Sequence, residues 1–407
     1  MNSYKAIHEQ IFDEAAFLWE SRSVAVEQPD NDAESLHELE IRIDTHLDGL
    51  MASIENAWEI CLEALKNGEP GETFTAAILA FRSHDVKKIQ IVIEAGLANE
   101  EAEKGLISAL GWLPGKLVHN WIEKFLGSKD LNHKYLAVAT CSVRRENPGE
   151  FLNRILARED CKSHKKLYGR TLRLIGEIRR LDLMPYLNEA MESDNSDICF
   201  WSNWSAILLG NRSAVENLKT YVFSDGIHQQ KAIGIAFRAL PVEQARKWIA
   251  ELGKAADQSR AVIKATGILA DPHAVNWLIS KMDQPAVSRL AGESFCNITG
   301  IDLERNQLSI EDHEPEEMHP GNDEDISLDE DENLAWPDVD KVKAIWMAHG
   351  CNFIAGQRYF MGQNISAELL KNKLQNACQR QRHAAAMELA LIDSGTPLIN
   401  TRAKVIG

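Results

Sequence analysis

The sequence predicts an all-α fold, an α-solenoid of stacked helix pairs with helical caps at its N- and C-terminal ends. Seven segments between about residues 102 and 300 end in a similar small-residue step, at Gly111, Cys141, Gly176, Gly210, Ala239, Gly267 and Cys296. Successive marks lie 30, 35, 34, 29, 28 and 29 residues apart. After several of them a short polar or Pro-containing turn leads into a second apolar stripe, as at Val215 and Leu218 or at Ala274, Val275 and Leu278. One unit is therefore two helices and a turn. A period near ~30 residues built from helix pairs marks a solenoid, in which no unit buries its apolar face without its neighbours. Small residues suit such an array because they let adjacent helices approach closely.

The elements follow in order. In region 1-84 the apolar residues Ile7, Ile11, Phe12, Ala15 and Leu18 keep helical spacing, and Pro29 with Asp30 and Asn31 ends that helix. The stripe Leu36, Leu39, Ile43, Leu47, Leu50, Ile54, Trp58, Cys61 and Leu65 then predicts one long amphipathic helix, with Ser35 and Glu38 at capping-box spacing and Gly49 as a point of weakness. Region 85-300 is the repeat array. Region 301-340 breaks the pattern: between Asp302 and Asp340 there are 16 acidic residues and one basic residue, a local charge of -15. The remaining 45 acidic and 43 basic residues nearly cancel, so the net charge of -17 belongs to this insert. Like charges repel, and the insert is expected to be a loop or partly disordered. Helical periodicity returns at Val342, Ile345 and Trp346, so region 341-407 is expected to form a C-terminal helical cap.

Several function classes are disfavoured. The seven cysteines form no CxxC pair and several sit among apolar helical residues, as reduced thiols of a cytoplasmic protein do. No apolar run of about 18 residues offers a membrane span, and the N-terminus has acidic residues within its apolar stretch, unlike a signal peptide. Asp323, Asp325 and Ser327 superficially match a calcium loop, but Leu328 stands where Gly is needed and Leu334 where a bidentate Glu is needed. No HExxH is present, and GlyTrpLeuProGly at 111 to 115 is a helix-ending turn and not a phosphate-binding loop. No catalytic, cofactor-binding or metal-binding residue is expected, and no cofactor.

The stretches GluAlaAlaPheLeuTrp at 14 to 19 and IleArgIleAspThrHisLeuAspGlyLeu at 41 to 50, with GlyGluSerPheCysAsnIleThrGlyIleAspLeu at 292 to 303, carry a resemblance. So do TrpPro at 336 and 337, PheIleAlaGlyGlnArgTyrPheMetGly at 353 to 362 and ArgHisAlaAlaAlaMetGluLeuAla at 382 to 390. Together they resemble a family of bacterial HEAT-repeat proteins of unassigned biochemical activity, across nearly the whole chain. The resemblance implies a HEAT-like fold and an accessory role beside type VI secretion gene clusters; it implies no catalytic residues.

One charged stretch stands out. On a helical wheel Lys162, Lys166, Arg170 and Arg173 share one direction, roughly 120° from the apolar Leu167, Thr171, Leu174 and Ile178. With Lys165, Arg179 and Arg180 they form the candidate partner-binding basic face: from Arg154 to Arg180 there are nine basic and three acidic residues. A solvated helix face is the plain reading; docking of an acidic protein partner is the functional one, and the acidic insert is long enough to screen this face from within. The expected function is a non-enzymatic scaffold or adaptor that binds other proteins, type VI secretion components being the partners the resemblance implies. Nucleic-acid binding or DNA repair, and a lyase-like enzyme on the same scaffold, are the alternatives. Phosphate binding needs broad positive charge, which the rest of the chain lacks.

Overall fold

The computed structural model describes residues 2–310, 329–393 and 395–405, and nearly all of their regular elements are helices. At the N-terminus, α1 (Asn2–Ala25) buries Phe12, Ala15, Leu18 and Trp19. The long stripe forms two helices, α2 (Ala33–Met51) and α3 (Ile54–Ala64). The break falls at Ala52 and Ser53 and not at Gly49; Ser53 leaves the helical region at φ -134 and ψ 52. Breaking the rod lets both halves pack on α1. The capping box also lies upstream of the expected Ser35 and Glu38: the Asp32 carboxylate accepts from the Glu34 and Ser35 N–H groups, and the Ser35 hydroxyl accepts from the Asp32 N–H.

Helix pairs follow: α4 (Pro70–Arg82) and α5 (Val86–Gly96), then α6 (Glu100–Trp112) and α7 (Gly115–Gly127). Next come α8 (Leu131–Arg144), the short α9 (Glu150–Leu156) and α10 (Glu159–Ser163), α11 (Lys165–Glu177), α12 (Met184–Ala190) and α13 (Ser196–Leu208). The series closes with α14 (Lys219–Val222), α15 (Gln229–Ala239), α16 (Val242–Leu252), α17 (Ser259–Leu269), α18 (Val275–Lys281) and α19 (Pro285–Thr299). The helices α4, α6, α8, α11, α13, α15, α17 and α19 pack each on the next and form one row. The others lie outside it against their neighbours in sequence. A continuous core fills the space between the two rows.

The row has a repeated chemistry at its helix ends. Six of its helices stop at or within two residues of a left-handed residue: His84, Arg145, Arg179, Gly210, Ala270 and Gly300. The other two stop at Leu113 before Pro114 and Leu240 before Pro241, where the next residue has no N–H to continue the helix. The small-residue marks of the sequence split between two roles. A Cβ on Gly176 would fall 2.7 Å from the Cα of Ser205, and one on Gly267 would fall 2.9 Å from the Ser294 Cβ, so both sit at helix crossings. Gly210 meets nothing within 4 Å, and its φ of +100° ends α13. It is a cap and not a crossing residue.

The C-terminal third covers one end of the row and then turns inward. The described flanks of the acidic insert are anchored: Leu303 and Leu308 are buried against α19, and Ser309 bridges Pro337. Asp323, Asp325 and Ser327 lie outside the described residues. Helix α20 (Val339–His349) packs on α18, and the hairpin of β1 (Tyr359–Phe360) and β2 (Gln363–Asn364) hydrogen-bonds to the ends of α17 and α19 through the Ala270, Asn297 and Ile298 carbonyls. Helices α21 (Ala367–Asn376) and α22 (Gln379–Ile392) pack together, and α22 lies against α13 and α15 on the inner side of the row. The tail 395–405 then runs back along that side. The Leu398 N–H donates to the Glu177 carbonyl, Asn400 to the Val143 carbonyl, and the Val405 N–H to the Glu40 carboxylate. The insert's described flank also reaches the N-terminal region, where Asn333 Nδ2 donates to Gln28 Oε1 at 3.2 Å.

Candidate ligand-binding wall

The inner side of the row encloses a cavity of about 580 Å³, bounded by α11, α13, α15, α17 and α19 on one side and by α22 and the tail on the other. Seven of its lining residues are Arg or Lys and three are Glu. One of them, Lys231, belongs to a position that recurs along the row. Arg170, Trp201, Lys231, Arg260 and Arg289 follow each other at steps of 31, 30, 29 and 29 residues, the spacing of the row itself, so the stack lines them up as a ladder.

The first rungs surround a single buried carboxylate. Arg173 Nε donates to Glu177 Oε1 at 2.8 Å, Arg145 Nη1 lies 3.1 Å from Glu177 Oε2, and the Ser142 hydroxyl donates to the same oxygen. Burial alone would raise the Glu177 pKa, but the guanidinium groups of Arg173, Arg145 and Arg170 hold it below the ordinary carboxylate value. Three cations thus face one anion. Burial, then the charge of Arg173, brings Arg170 down to about 10, and its Nε has no hydrogen-bond partner among the described residues. The Arg173 guanidinium also lies 4.6 Å from the Trp201 ring centroid, a cation–π contact that fixes its plane.

Lys231 is the next rung. It is exposed into the cavity and has no ion pair or hydrogen bond among the described residues. Burial by its surroundings, then Arg173 and Arg402, depress its pKa, and Glu27 offsets part of that shift. The last two rungs are neutralised by the chain's own insert. Arg260 makes a two-pronged pair with Asp331 at 2.6 and 2.9 Å, Lys264 pairs with Glu330 at 2.8 Å, and Arg289 pairs with Asp329 at 2.5 Å while lying over Trp336. Glu330 itself lines the cavity.

The seven basic residues expected to share one outer face are therefore divided. Lys162 pairs with Glu189 at 2.8 Å and Lys166 with Glu103 at 2.9 Å, both at the outer edge of α10 and α11. Lys165 is exposed there without an ion pair among the described residues. Arg170 and Arg173 turn to the inner wall. Arg179 caps two helices by donating to the Leu208 and Ala390 carbonyls, and Arg180 pairs with Asp182 and bonds to the Asn147 and Asn153 side chains. The described part of the insert pairs with Arg260, Lys264 and Arg289 rather than with the 162 to 180 stretch. Local charge does not mark Lys231, which stands among neutral neighbours in sequence, and Arg145 and Lys264 lie outside the dense basic stretch; recurrence at the repeat interval is the signal that marks Lys231, Arg260 and Arg289.

Among the described residues no group of His, Cys, Asp and Glu is arranged to hold a metal ion, and no helix is long and apolar enough to cross a membrane. No protein-family model matches the chain, and comparisons with curated proteins and with solved structures give no match either.

Proposed function

We propose that this chain is a non-catalytic protein-binding module, an adaptor whose partner docks on the positive inner wall of the helical row. The observation that carries the reading is the positive balance of that wall: seven Arg or Lys against three Glu line the cavity, and Lys231 among them has no ion pair among the described residues. Side chains held by ion pairs, helix packing and an aromatic ring are already oriented for an incoming anion, so little ordering entropy is lost on binding. The family resemblance adds the setting, a bacterial cytoplasm and components of a type VI secretion system. A nucleic-acid duplex fits less well, because a cavity of about 580 Å³ closed on one side by α22 and the tail has no room for one.

The test is capture of partners from the host by the intact chain, the Lys231→Glu variant and the Lys165→Glu variant, with mass spectrometry and then salt-dependent association rates for the partner identified. Lys231 makes no internal contact, so its reversal leaves folding intact. The expected result is loss of the partner with Lys231→Glu and its retention with Lys165→Glu. Equal capture by all three proteins rejects the inner wall as the docking face.

A further inference from the structure

The wall already shows how it holds an anion, because the chain supplies one. The segment Asp329, Glu330 and Asp331 lays three consecutive carboxylates on Arg289, Lys264 and Arg260, the last two rungs of the ladder and the lysine between them, and Asp331 is 3% exposed there. Each carboxylate takes its own cation: Asp331 a forked guanidinium, Glu330 an ammonium with Arg260 at 3.5 Å, Asp329 the Arg289 guanidinium. Of these three, Glu330 reaches the edge of the cavity. Beyond it the wall continues with Lys231, which has no ion pair among the described residues, and with Arg173, which is held by Glu177, while Glu27 and Glu293 are the other carboxylates of the lining.

We infer that the inner wall is a docking surface for a short acidic peptide segment of a partner protein, which places its carboxylates on Lys231 and Arg173 and so continues the line begun by Asp329, Glu330 and Asp331. This rests on the proposed protein-binding role and names what the partner presents. The wall favours such a segment on three grounds. Its cations are spaced by the helix repeat, and neighbouring helices lie about 8 to 10 Å apart, a distance that carboxylates two or three residues apart on an extended chain can span at about 3.3 Å per residue. The tail residues Leu398, Ile399, Asn400, Thr401 and Arg402 roof the cavity and limit the occupant to a few residues at its volume of about 580 Å³. Trp201 and Trp204 supply apolar wall between the charges, against which the stems of acidic side chains pack. Burial, then the repulsion from Arg173 and Arg402, depresses the Lys231 pKa, and an entering carboxylate would offset the repulsive part.

The experiment uses the full chain and a fluorescein-labelled peptide of alternating Asp and Glu, six residues long, with the Asn and Gln counterpart as control, followed by fluorescence anisotropy at low and high salt. The acidic peptide is expected to bind, to weaken about tenfold or more in Lys231→Gln, to be unchanged in Lys165→Gln, and to lose affinity as salt rises. Thermal melting of Lys231→Gln checks that the fold is kept. No binding, equal binding by Lys231→Gln, or displacement by inorganic pyrophosphate at lower concentration than by unlabelled peptide overturns the inference, the last in favour of a small phosphorylated ligand. Failure of the peptide while Lys231→Glu still loses its captured partner removes the acidic segment and leaves the protein-binding role standing.

Discussion

Gly176 on α11 lies so close to Ser205 on α13 that an added Cβ would meet the Ser205 Cα at 2.7 Å, and the Ser205 hydroxyl uses this approach to donate to the Leu172 carbonyl at 2.7 Å. Gly267 and Ser294 repeat the arrangement between α17 and α19, with the Ser294 hydroxyl donating to the Ile263 carbonyl at 3.3 Å. The clash at 176 is with backbone, which no rotamer change relieves. Gly176→Leu is therefore expected to destabilise by about 3 kcal/mol, at the upper end for overpacking, measured by urea denaturation. Gly210→Leu meets no neighbour and should cost only the left-handed conformation, about 1 to 2 kcal/mol. Gly210→Asn should recover most of that. Equal losses at 176 and 210 would show that the two glycines share one role.

Removing the buried carboxylate at the head of the ladder leaves its cations facing each other. Glu177→Gln keeps the shape of the side chain and is expected to cost about 3 to 5 kcal/mol, the range for breaking a buried pair. Because the folded pKa of Glu177 lies below its ordinary value of 4.5, its contribution is complete above that value and is lost as pH falls through the folded one. Acid unfolding of the wild type should thus show a steep loss below about pH 4 that the variant lacks.

His383 ties three distant segments: its Nε2–H donates to the Val26 carbonyl at 2.7 Å, which leaves Nδ1 to accept from the Thr401 hydroxyl at 2.5 Å. Burial, then Arg402, lowers its pKa from 6.5 to about 4. The neutral ring is required, and in the unfolded chain the ring takes up a proton first. Stability is therefore full above pH 6.5 and declines between 6.5 and 4, by up to about 3 kcal/mol at about 1.4 kcal/mol per unit. His383→Gln should flatten that decline in melts across this pH range. An unchanged slope would mean that the ring titrates normally.

A chain ending at Asp393 loses the hydrogen bonds from the tail to Glu177, Val143 and Glu40. Such a protein should melt at lower temperature and in more than one step, because a stack held only by neighbouring contacts opens from its ends. Calorimetry distinguishes this from a single shifted transition.

The helical row was legible because its signals are local: the small residues at crossings and the residues at helix ends recur every ~30 positions, and each acts on its own turn or its immediate neighbour. Some positions were legible but with an ambiguous role, as at Gly210. The division of the long stripe at Ser53 was hidden, since the apolar spacing runs through the break and only packing against α1 makes it worthwhile. The basic stretch was read from a wheel that knows the direction of each side chain about its own helix and not what stands beside that helix. Lys166 and Arg173 share a direction on α11, yet one meets Glu103 at the edge and the other meets Glu177 on the inside. The tail's path was not legible at all, because contacts such as Val405 with Glu40 join residues 365 positions apart and leave no periodic trace.

Stacked arrays commonly lengthen and shorten by whole units, because each unit touches only the next. Here the tail removes that freedom. Its anchors at Glu177, Val143 and Glu40, and the meeting of Gln28 with Asn333, are fixed by the number of helix pairs between α2 and α19. One extra pair would carry α22 about 10 Å along the row, away from the arginines that hold its last carbonyls, and would leave the tail short of Glu40. Descendants of this chain can therefore vary the rungs of the ladder one side chain at a time, but they inherit its length.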